Sequence, residues 1–355
     1  RKYDNKPIPG DLVCLNNFAN QDKPFIVKLP KGYAQRLQKD IEKLILAVGD
    51  IPQQITKEFN TAIIRGITRQ KKIHGLPEVN VAITSPEKYE YTSRKPFITD
   101  NDKAKYSAAV QSLDARIKTI FQRKTKGKTW RDFLEQEITT HMQKHLTKLQ
   151  QKYADIQQLK PYLSLFAERL LGQQTTKKQA FDITEFMVNI LVDNSAQRSA
   201  PIVFAERPSY ENVVGEAHKR QSFTKTKTEK HPFLKVKAGT LLKADGGYPV
   251  IDLDDILAEQ HPEGTLTAIK TALRTGKIEI DSADYQLFAE PIDVGKIDVN
   301  VKLILTGSSE SYEFLCEYDP DFKTWLTEKA EFDQVIENTA KTRRKYAAYF
   351  TTFVS

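Results

Sequence analysis

One stretch of the chain combines residue types that could bind a metal ion. The turn Asp245-Gly246-Gly247 leads into a short apolar strand, Tyr248 to Ile251, which ends at Asp252. A buried strand that carries a carboxylate at its C-terminal end is how nucleotide-binding α/β folds present an acid to Mg²⁺. Asp252 is also a good N-cap for the helical pattern from Leu253 to Leu257. The local sequence leaves both interpretations open.

Other groups with catalytic potential have a simpler structural explanation. Gly127-Lys128-Thr129 ends like a phosphate-binding loop, but Gln122 replaces the first glycine of that pattern and no strand precedes it. A turn between two helices is therefore predicted there. His141 and His145 share a helical face but lack the glutamate of the H-E-x-x-H zinc motif, so surface histidines are predicted. The sequence shows no nucleophile elbow of the G-x-S-x-G type.

Composition is that of a globular protein with more than one unit. The chain has 355 residues, of which 39% are hydrophobic and 28% charged, so two or three units are expected. No apolar run is long enough to span a membrane. Two cysteines exclude a disulfide framework and favour a reducing compartment, the cytoplasm. Cys14 lies in an apolar strand and is predicted to be a buried, inert thiol.

The positive charge is localised. The formal net charge is +8, and residues 103–178 alone contain sixteen Lys or Arg against six acids, a surplus of ten. Such a run is a solvated helix face, or it contacts nucleic acid, acidic protein clients or a neighbouring subunit. In the second case Lys124, Lys126 and Lys128 are the candidate contact residues, and Tyr210 is a further one. Their binding to an anionic partner would weaken between low and physiological salt.

The pattern of elements predicts an α/β core interrupted by helices. Strands are expected at Asp11–Phe18 and Phe25–Leu29, followed by an amphipathic helix from Tyr33 that Gly49 stops. The first unit is therefore 1–48. We expect it to belong to a mostly parallel sheet that resumes after an insert.

Residues 49–183 are predicted to form this insert, a helical arm. A hairpin is expected at Val79–Ile83 and Tyr89–Tyr91. Apolar residues at alternating spacings of four and three predict a helical hairpin or short coiled coil, whose basic turn Arg123–Lys128 is placed near the tip. These stripes are narrow, so we expect them to pack helix to helix and not against a sheet. Pro161 ends the second long helix.

Residues 184–340 return to α/β character, and 341–355 begin a helical lid. Phe186–Val192 is predicted as a buried strand, and Val299–Leu305 is the strongest strand pattern of the chain. A polar edge, Thr306 to Ser309, follows it. A helix is expected from Thr265 to Arg274, and a closing helix from Gln334 onward.

The order of these segments resembles the AAA+ module of Lon-type ATP-dependent proteases, specifically the LonB-like branch and its soluble bacterial relatives. The resemblance covers about 1–48 and 184–340, and in the arm it is one of position only. It rests on motifs at both ends of the core: Asp11–Phe18, Lys28–Gly32, Val188–Asn194, Ala200–Val203, Val214–Glu216, Ala238–Asp252, Glu317–Phe322 and Ala330–Asp333.

The resemblance implies roles for several residues. Asp252 is then the Walker B aspartate, which holds Mg²⁺ through bound ATP. Ser308 stands near the sensor position, and Lys323 or Lys329 stands where a basic residue bridges to the next subunit. Two residues depart from the family pattern: Leu253 occupies the position of the catalytic glutamate, and Leu242 that of a histidine.

What the resemblance implies for function is an ATPase that threads unfolded protein through a hexameric ring into a serine-lysine peptidase chamber. The phosphate loop would precede Arg1 and the peptidase domain would follow Ser355, so we expect this chain to be part of a longer protein. By itself it is expected to lack peptidase activity and to assemble weakly. The alternative is a degenerate, non-hydrolysing AAA-like scaffold that binds DNA or a protein partner through the basic arm.

Overall fold

The computed structural model describes the greater part of the chain. The described residues are 9–74, 79–93, 99–175, 182–219, 231–280, 290–326, 328–332 and 335–354. The strands are β1 (Asp11–Leu15), β2 (Phe25–Leu29), β3 (Val79–Ser85), β4 (Lys88–Ser93), β5 (Val188–Val192), β6 (Ile202–Phe204), β7 (Gly215–Glu216), β8 (His218–Lys219), β9 (Lys237–Ala238), β10 (Tyr248–Asp252), β11 (Lys277–Glu279), β12 (Glu290–Pro291), β13 (Lys296–Asp298) and β14 (Ile304–Thr306). The helices are α1 (Tyr33–His74), α2 (Asp100–Thr125), α3 (Trp130–Lys152), α4 (Lys160–Thr175), α5 (Tyr210–Val213), α6 (Thr240–Lys243), α7 (Leu253–Leu257), α8 (Pro262–Thr275), α9 (Ser309–Tyr318), α10 (Asp321–Trp325) and α11 (Ala340–Val354).

An antiparallel sheet in the order β2-β1-β5 separates two hydrophobic cores. Val13 and Leu15 on one face of β1 pack in the core formed with α1, α3 and α4. Leu12 and Cys14 on the other face pack in the core that contains β10. Both faces of β1 are therefore apolar from Leu12 onward, which explains the hydrophobic run from Leu12 to Leu15. Burial raises the pKa of the Cys14 thiol well above its ordinary value, as expected for an inert cysteine.

The second sheet is parallel, with the order β14-β10-β6. Together with the surrounding helices it gives an α/β fold, as predicted. The prediction of one mostly parallel sheet that includes the N-terminal strands was wrong, because β1 pairs antiparallel with both β2 and β5. The strand predicted at Val299–Leu305 is also shorter than expected. Only 304–306 pair with β10, and the backbone N–H groups of Val299 and Lys302 donate instead to the carbonyls of Gly276 and Gly247.

Helix α1 continues through the predicted stop at Gly49. It spans 42 residues and includes Pro52 in its interior. Val48, Ile51 and Ile55, on both sides of the glycine, are buried in the same core as the antiparallel sheet. A helical glycine costs about 1 kcal/mol relative to alanine, and the burial of these three side chains outweighs it. The predicted unit boundary at 48–49 thus lies inside a continuous helix.

Helices α2 and α3 both pack along α1, one after the other. Phe59 of α1 contacts Phe121 near the end of α2 and Trp130 at the start of α3, at ring distances of 5.5 and 4.7 Å. Farther along α1, the Gln70 side chain donates to the Ser112 hydroxyl. The predicted basic turn between α2 and α3 therefore lies beside Phe59. Fifteen residues of α1 extend beyond that point, about 22 Å of helix, so the placement of this turn at the tip was wrong.

The predicted hairpin is confirmed, and it covers the outer part of α1. Strands β3 and β4 pair antiparallel from Val79↔Ser93 to Ser85↔Lys88. Val79 shares a buried cluster with Phe59, Ile63 and Ile67 of α1 and with residues of α2. The Glu87 carboxylate at the hairpin turn accepts the backbone N–H of Trp130.

The inner half of α3 and helix α4 pack against the antiparallel sheet. Met142, Tyr162 and Phe166 are fully buried in the core that also contains Val13 and Leu15. The expectation that the helical stripes would not bury against a sheet was therefore wrong for this part. These helices meet Val13 and Leu15 of β1, a contact between residues far apart in the chain.

We predict that Asp40 stabilises this packing in a pH-dependent way. Its carboxylate accepts the Tyr153 hydroxyl at 2.7 Å and pairs with Lys152. Burial alone would raise the pKa of Asp40, but the hydrogen bonds from Lys152 and Tyr153 outweigh it and hold that pKa below its ordinary value. The ionised Asp40 carboxylate therefore stabilises the fold above about pH 4. This contribution is lost as the pH falls through the pKa of Asp40 in the folded protein.

The free energy of unfolding should therefore fall by about 1–2 kcal/mol in Asp40→Asn at pH 7, with a smaller difference from the parent at pH 3, where the carboxylate begins to be protonated. Urea unfolding at both pH values measures this. Asp155→Asn, an exposed acid near the same helix end, is the matched control and should show no effect at either pH. An equal loss at pH 7 and pH 3 for Asp40→Asn would contradict the electrostatic explanation.

Candidate functional site

The candidate site lies at the C-terminal edge of the parallel sheet. In β10, Ile251 is fully buried, and it fixes the strand whose last residue is the half-buried Asp252. Asp252 is in register with Thr306, the last residue of β14. Because the strands are parallel, their carboxyl ends meet at one edge, where α/β folds bind ligands. The two polar side chains are therefore brought together by strand register.

The N-cap interpretation of Asp252 is confirmed, and this role does not use the whole carboxylate. Its Oδ1 accepts the backbone N–H groups of Asp254 and Asp255 at 3.0 and 3.3 Å, so it is the N-cap of α7. Its Oδ2 accepts the Thr306 hydroxyl at 2.9 Å. A carboxylate has about four acceptor positions, and these bonds use three of them. Among the contacts that the described residues make, one position on Oδ2 is left for a cation or a water molecule.

Thr306 was not singled out by the sequence analysis, which assigned the sensor role to Ser308. The structure shows that Ser308 contacts Asp254 and not Asp252. Ser308 Oγ donates to Asp254 Oδ1 at 2.9 Å, and the Ser308 backbone N–H donates to Asp254 Oδ2 at 3.0 Å. The signal for Thr306 lay in its place as the first polar residue after the apolar part of β14.

Asp254 joins α7 to the start of α9. Hydrogen bonds from the Ser311 hydroxyl and from Ser308 hold the pKa of Asp254 below its ordinary value. Ser308 is itself the N-cap of α9 and accepts the Ser311 backbone N–H. The result is a connected set of two carboxylates and two hydroxyls along the sheet edge: Asp252, Thr306, Asp254 and Ser308.

Leu253 does not face this edge. Its side chain is 3% exposed and packs in the core with Ile251 and Ile256. The residue at the position that the family resemblance gives to a catalytic glutamate is thus a core residue of α7. Asp255, two residues later, is exposed.

The predicted basic residues lie elsewhere. Lys323 is exposed in α10. Lys329 pairs with Glu331 at 3.3 Å and lies 4.9 Å above the Tyr312 ring. Neither is among the hydrogen-bond or ion-pair partners that the structure gives to Asp252 within the described residues. Their role at a subunit boundary stays a prediction.

The residues predicted to contact partners lie at two places in the structure. Lys124, Lys126 and Lys128 are exposed at the turn between α2 and α3, and Lys128 donates to Gln136. The Gly127-Lys128-Thr129 sequence lies in this turn, where Thr129 is the N-cap of α3. Tyr210, the first residue of α5, is half-buried against the core. No partner is present to test these contacts.

Two segments of the chain match family models. Residues 198–333 match the LonB-like AAA domain, and residues 11–44 match the Lon-like LonC helical domain. Both matches support membership of the chain in the Lon-type protease family. The resemblance to Lon-type proteases that the sequence indicated is therefore confirmed. No curated protein matches the chain.

The matched AAA segment of this Lon-type chain contains the whole parallel sheet. Strands β6, β10 and β14 all lie within 198–333, and so do Asp252, Thr306, Asp254 and Ser308. AAA domains in general bind nucleotides, so this sheet edge is the candidate site for nucleotide binding. The second match, 11–44, contains β1, β2 and the first residues of α1. No helix among the described residues has the length and apolar character of a membrane span.

The residues at the edge fit part of a magnesium–nucleotide site. Asp252 offers one oxygen position, and hard oxygen donors are what Mg²⁺ prefers. No cluster of three or more His, Cys, Asp or Glu suited to a metal ion occurs in the described part of the chain. A cation at Asp252 would therefore need water and phosphate oxygens as its other ligands, which is the usual arrangement for Mg²⁺. A cradle for those phosphates is not found among the described residues.

Proposed function

We propose that this chain is the AAA+ module of a Lon-like, ATP-dependent serine protease, and that it binds Mg²⁺-ATP at the sheet edge formed by Asp252 and Thr306. The observation that carries the proposal is the carboxylate at the end of the central parallel strand, inside the segment that matches a LonB-like AAA domain. In the full protein the module would assemble as a hexamer in the cytoplasm and pass unfolded protein substrates to a peptidase domain.

Each side chain has a distinct part in this proposal. Asp252 would contribute a carboxylate oxygen to a bound Mg²⁺ ion, whose positive charge would offset that of the phosphates. The Thr306 hydroxyl orients that carboxylate through its 2.9 Å hydrogen bond. The backbone N–H groups of Asp254 and Asp255 hold the other carboxylate oxygen in place.

The helical segment 49–183 is proposed as the part that meets clients. Its surplus of positive charge includes the exposed residues Lys124, Lys126 and Lys128 at the turn beside Phe59. Because this turn lies along α1 and not at its end, a client would contact the flank of the segment. The alternative of a DNA-binding scaffold has no specific observation in its favour.

The nucleotide site is tested in the full-length protein by changing two acidic residues, one at each end of α7. Asp252→Asn removes the charge of the proposed ligand but keeps its shape. Nucleotide affinity is measured by titration of a fluorescent ATP analogue with and without Mg²⁺. We expect Mg²⁺ to strengthen binding in the parent protein by about tenfold or more, and this gain to disappear in the variant.

Glu259→Gln is the matched control. Glu259 is exposed just beyond the C-terminal end of α7 and changes charge by the same amount. It should leave the Mg²⁺ dependence unchanged. An Asp252→Asn protein that keeps the full Mg²⁺ dependence would exclude Asp252 as the cation ligand.

A further inference from the structure

The start of β10 is tied to the segment that leads into β14. The Gly246 backbone N–H donates to the Asn300 carbonyl at 2.8 Å. In the same way, the Lys302 backbone N–H donates to the Gly247 carbonyl at 2.9 Å. Asp245 adds a side-chain contact, because its Oδ1 accepts the Asn300 backbone N–H at 2.8 Å. These bonds align the two segments at one end of β10, and the candidate site lies at the other end.

The apolar pattern of the β14 segment fixes which of its faces points inward, but not its exact register. Val301, Leu303 and Leu305 occupy alternate positions and pack against the core that contains β10. A slip of one residue would turn them to the opposite face, so the buried face excludes it. A slip of two residues would keep the same face. Because β14 has three residues and lies at the edge of the sheet, a further contact is needed to select one register.

A slip of two residues would remove Thr306 from the candidate site. Asp252 is in register with Thr306, and after such a slip it would stand opposite Ile304 or Ser308 instead. The 2.9 Å hydrogen bond from the Thr306 hydroxyl to the Asp252 carboxylate would then be lost. The alignment at the start of β10 therefore decides which side chain meets Asp252 at its end.

Lys28 of β2 holds the Asp245 carboxylate in the orientation that this alignment needs. Lys28 Nζ donates to Asp245 Oδ2 at 2.7 Å, while Oδ1 faces the Asn300 backbone N–H. The lysine and aspartate side chains are 42% and 23% exposed, so the ion pair itself contributes little to the stability of the fold. Its effect is to orient the carboxylate, and it connects the antiparallel sheet to the parallel one.

We propose that Asp245 is a positioning residue for the candidate nucleotide site. It anchors the register of β14 on β10, and this register places the Thr306 hydroxyl on the Asp252 carboxylate. Asp245 acts from the far end of β10 and is not itself a ligand of the cation. The consequence for Mg²⁺ rests on the proposed function, whereas the anchoring of β14 does not.

Three variants of the full-length protein separate the parts of this proposal. Asp245→Ala removes both contacts of the carboxylate. Asp245→Asn keeps an oxygen for the Asn300 backbone N–H but loses the charge that pairs with Lys28. Asp293→Ala is the matched control, because this exposed aspartate also pairs with a lysine, at 3.0 Å, and accepts a backbone N–H, at 3.1 Å, but lies between β12 and β13. Urea unfolding checks that each variant is folded.

Hydrogen exchange followed by mass spectrometry measures how firmly β14 is held, without any nucleotide. In Asp245→Ala we expect the amides of residues 304–308 to exchange about five to ten times faster than in the parent, because one anchoring hydrogen bond is lost. Asp245→Asn should exchange at nearly the parent rate in this segment, since its side-chain oxygen keeps that bond. Asp293→Ala should leave the segment unchanged.

Nucleotide affinity, titrated with the fluorescent ATP analogue, tests the consequence at the site. The gain in affinity that Mg²⁺ gives should fall by about threefold or more in Asp245→Ala, whereas binding without Mg²⁺ should stay as in the parent. A role in stability alone would lower binding equally under both conditions. Asp245→Asn should recover most of the gain.

Three results for Asp245→Ala would overturn the proposal: parent-like exchange at 304–308, a full gain from Mg²⁺, or an equal loss of affinity with and without Mg²⁺. A parent protein that shows no gain from Mg²⁺ would instead exclude the proposed cation site. The anchoring of β14 by Asp245 would then be judged by the exchange rates alone.

Discussion

ATP turnover by the full-length protein is expected to be slow, about 0.1 s⁻¹ or less, against about 10 s⁻¹ for an ordinary enzyme. The reason lies at Leu253, whose side chain is apolar and 3% exposed. It occupies the position where the family resemblance implies a glutamate that activates water. Loss of a general base typically reduces a rate by about 10²–10⁴-fold.

The neighbouring acids are the alternative bases, and the structure separates them. Asp254 is held by Ser308, whereas Asp255 is exposed in the first turn of α7. We expect Asp255→Asn to leave the steady-state turnover unchanged. Turnover of about 1–10 s⁻¹ in the parent would contradict the prediction, and its loss in Asp255→Asn would then identify Asp255 as the base.

Replacing Gly247 by alanine should destabilise the AAA segment by about 2–4 kcal/mol. A Cβ atom at this position would lie 2.0 Å from the Pro201 carbonyl oxygen. The same oxygen accepts the Tyr248 backbone N–H at 2.8 Å, the bond that begins the pairing of β10 with β6. The extra methyl group therefore requires the backbone to separate at the start of the strand that ends in Asp252.

Gly49→Ala is the matched control for this substitution. Gly49 lies inside α1, and a Cβ there meets no atom within 4 Å. The same chemical change should stabilise the protein by about 0.5–1 kcal/mol through the higher helix propensity of alanine. Chemical unfolding of both variants, with nucleotide affinity as a second readout, checks the pair. Equal stability of Gly247→Ala and the parent protein would show that the turn tolerates a side chain.

The sequence predicted the elements whose signal is local. Strands β1, β2 and β10, the hairpin β3–β4 and the N-cap at Asp252 follow from apolar runs, alternation and capping residues. The position of Asp252 at a parallel sheet edge was predicted for the same reason, since an apolar strand that ends in an acid is a local pattern.

What the sequence did not predict depends on contacts between distant residues. Helix α1 passes Gly49 because residues far along the chain, such as Met142, bury its flanking side chains. Residues 299–303, which alternate apolar and polar, do not pair as a strand, since the Lys302 backbone N–H donates to the Gly247 carbonyl instead. The hydrogen bond from Thr306 to Asp252 depends on strand register, which no single segment specifies.

Metal-directed cleavage of the backbone tests directly whether Asp252 holds the cation, because it locates the metal ion on the chain. Fe²⁺ replaces Mg²⁺ in the full-length protein with bound ATP, and ascorbate with peroxide then produces radicals that cut the backbone close to the metal. Mass spectrometry maps the cuts. If Asp252 holds the cation, we expect ATP-dependent cleavage at residues 252–255 and 306–308, at the ends of β10 and β14, and its loss in Asp252→Asn. ATP-dependent cleavage confined to other parts of the chain, or unchanged in Asp252→Asn, would contradict it.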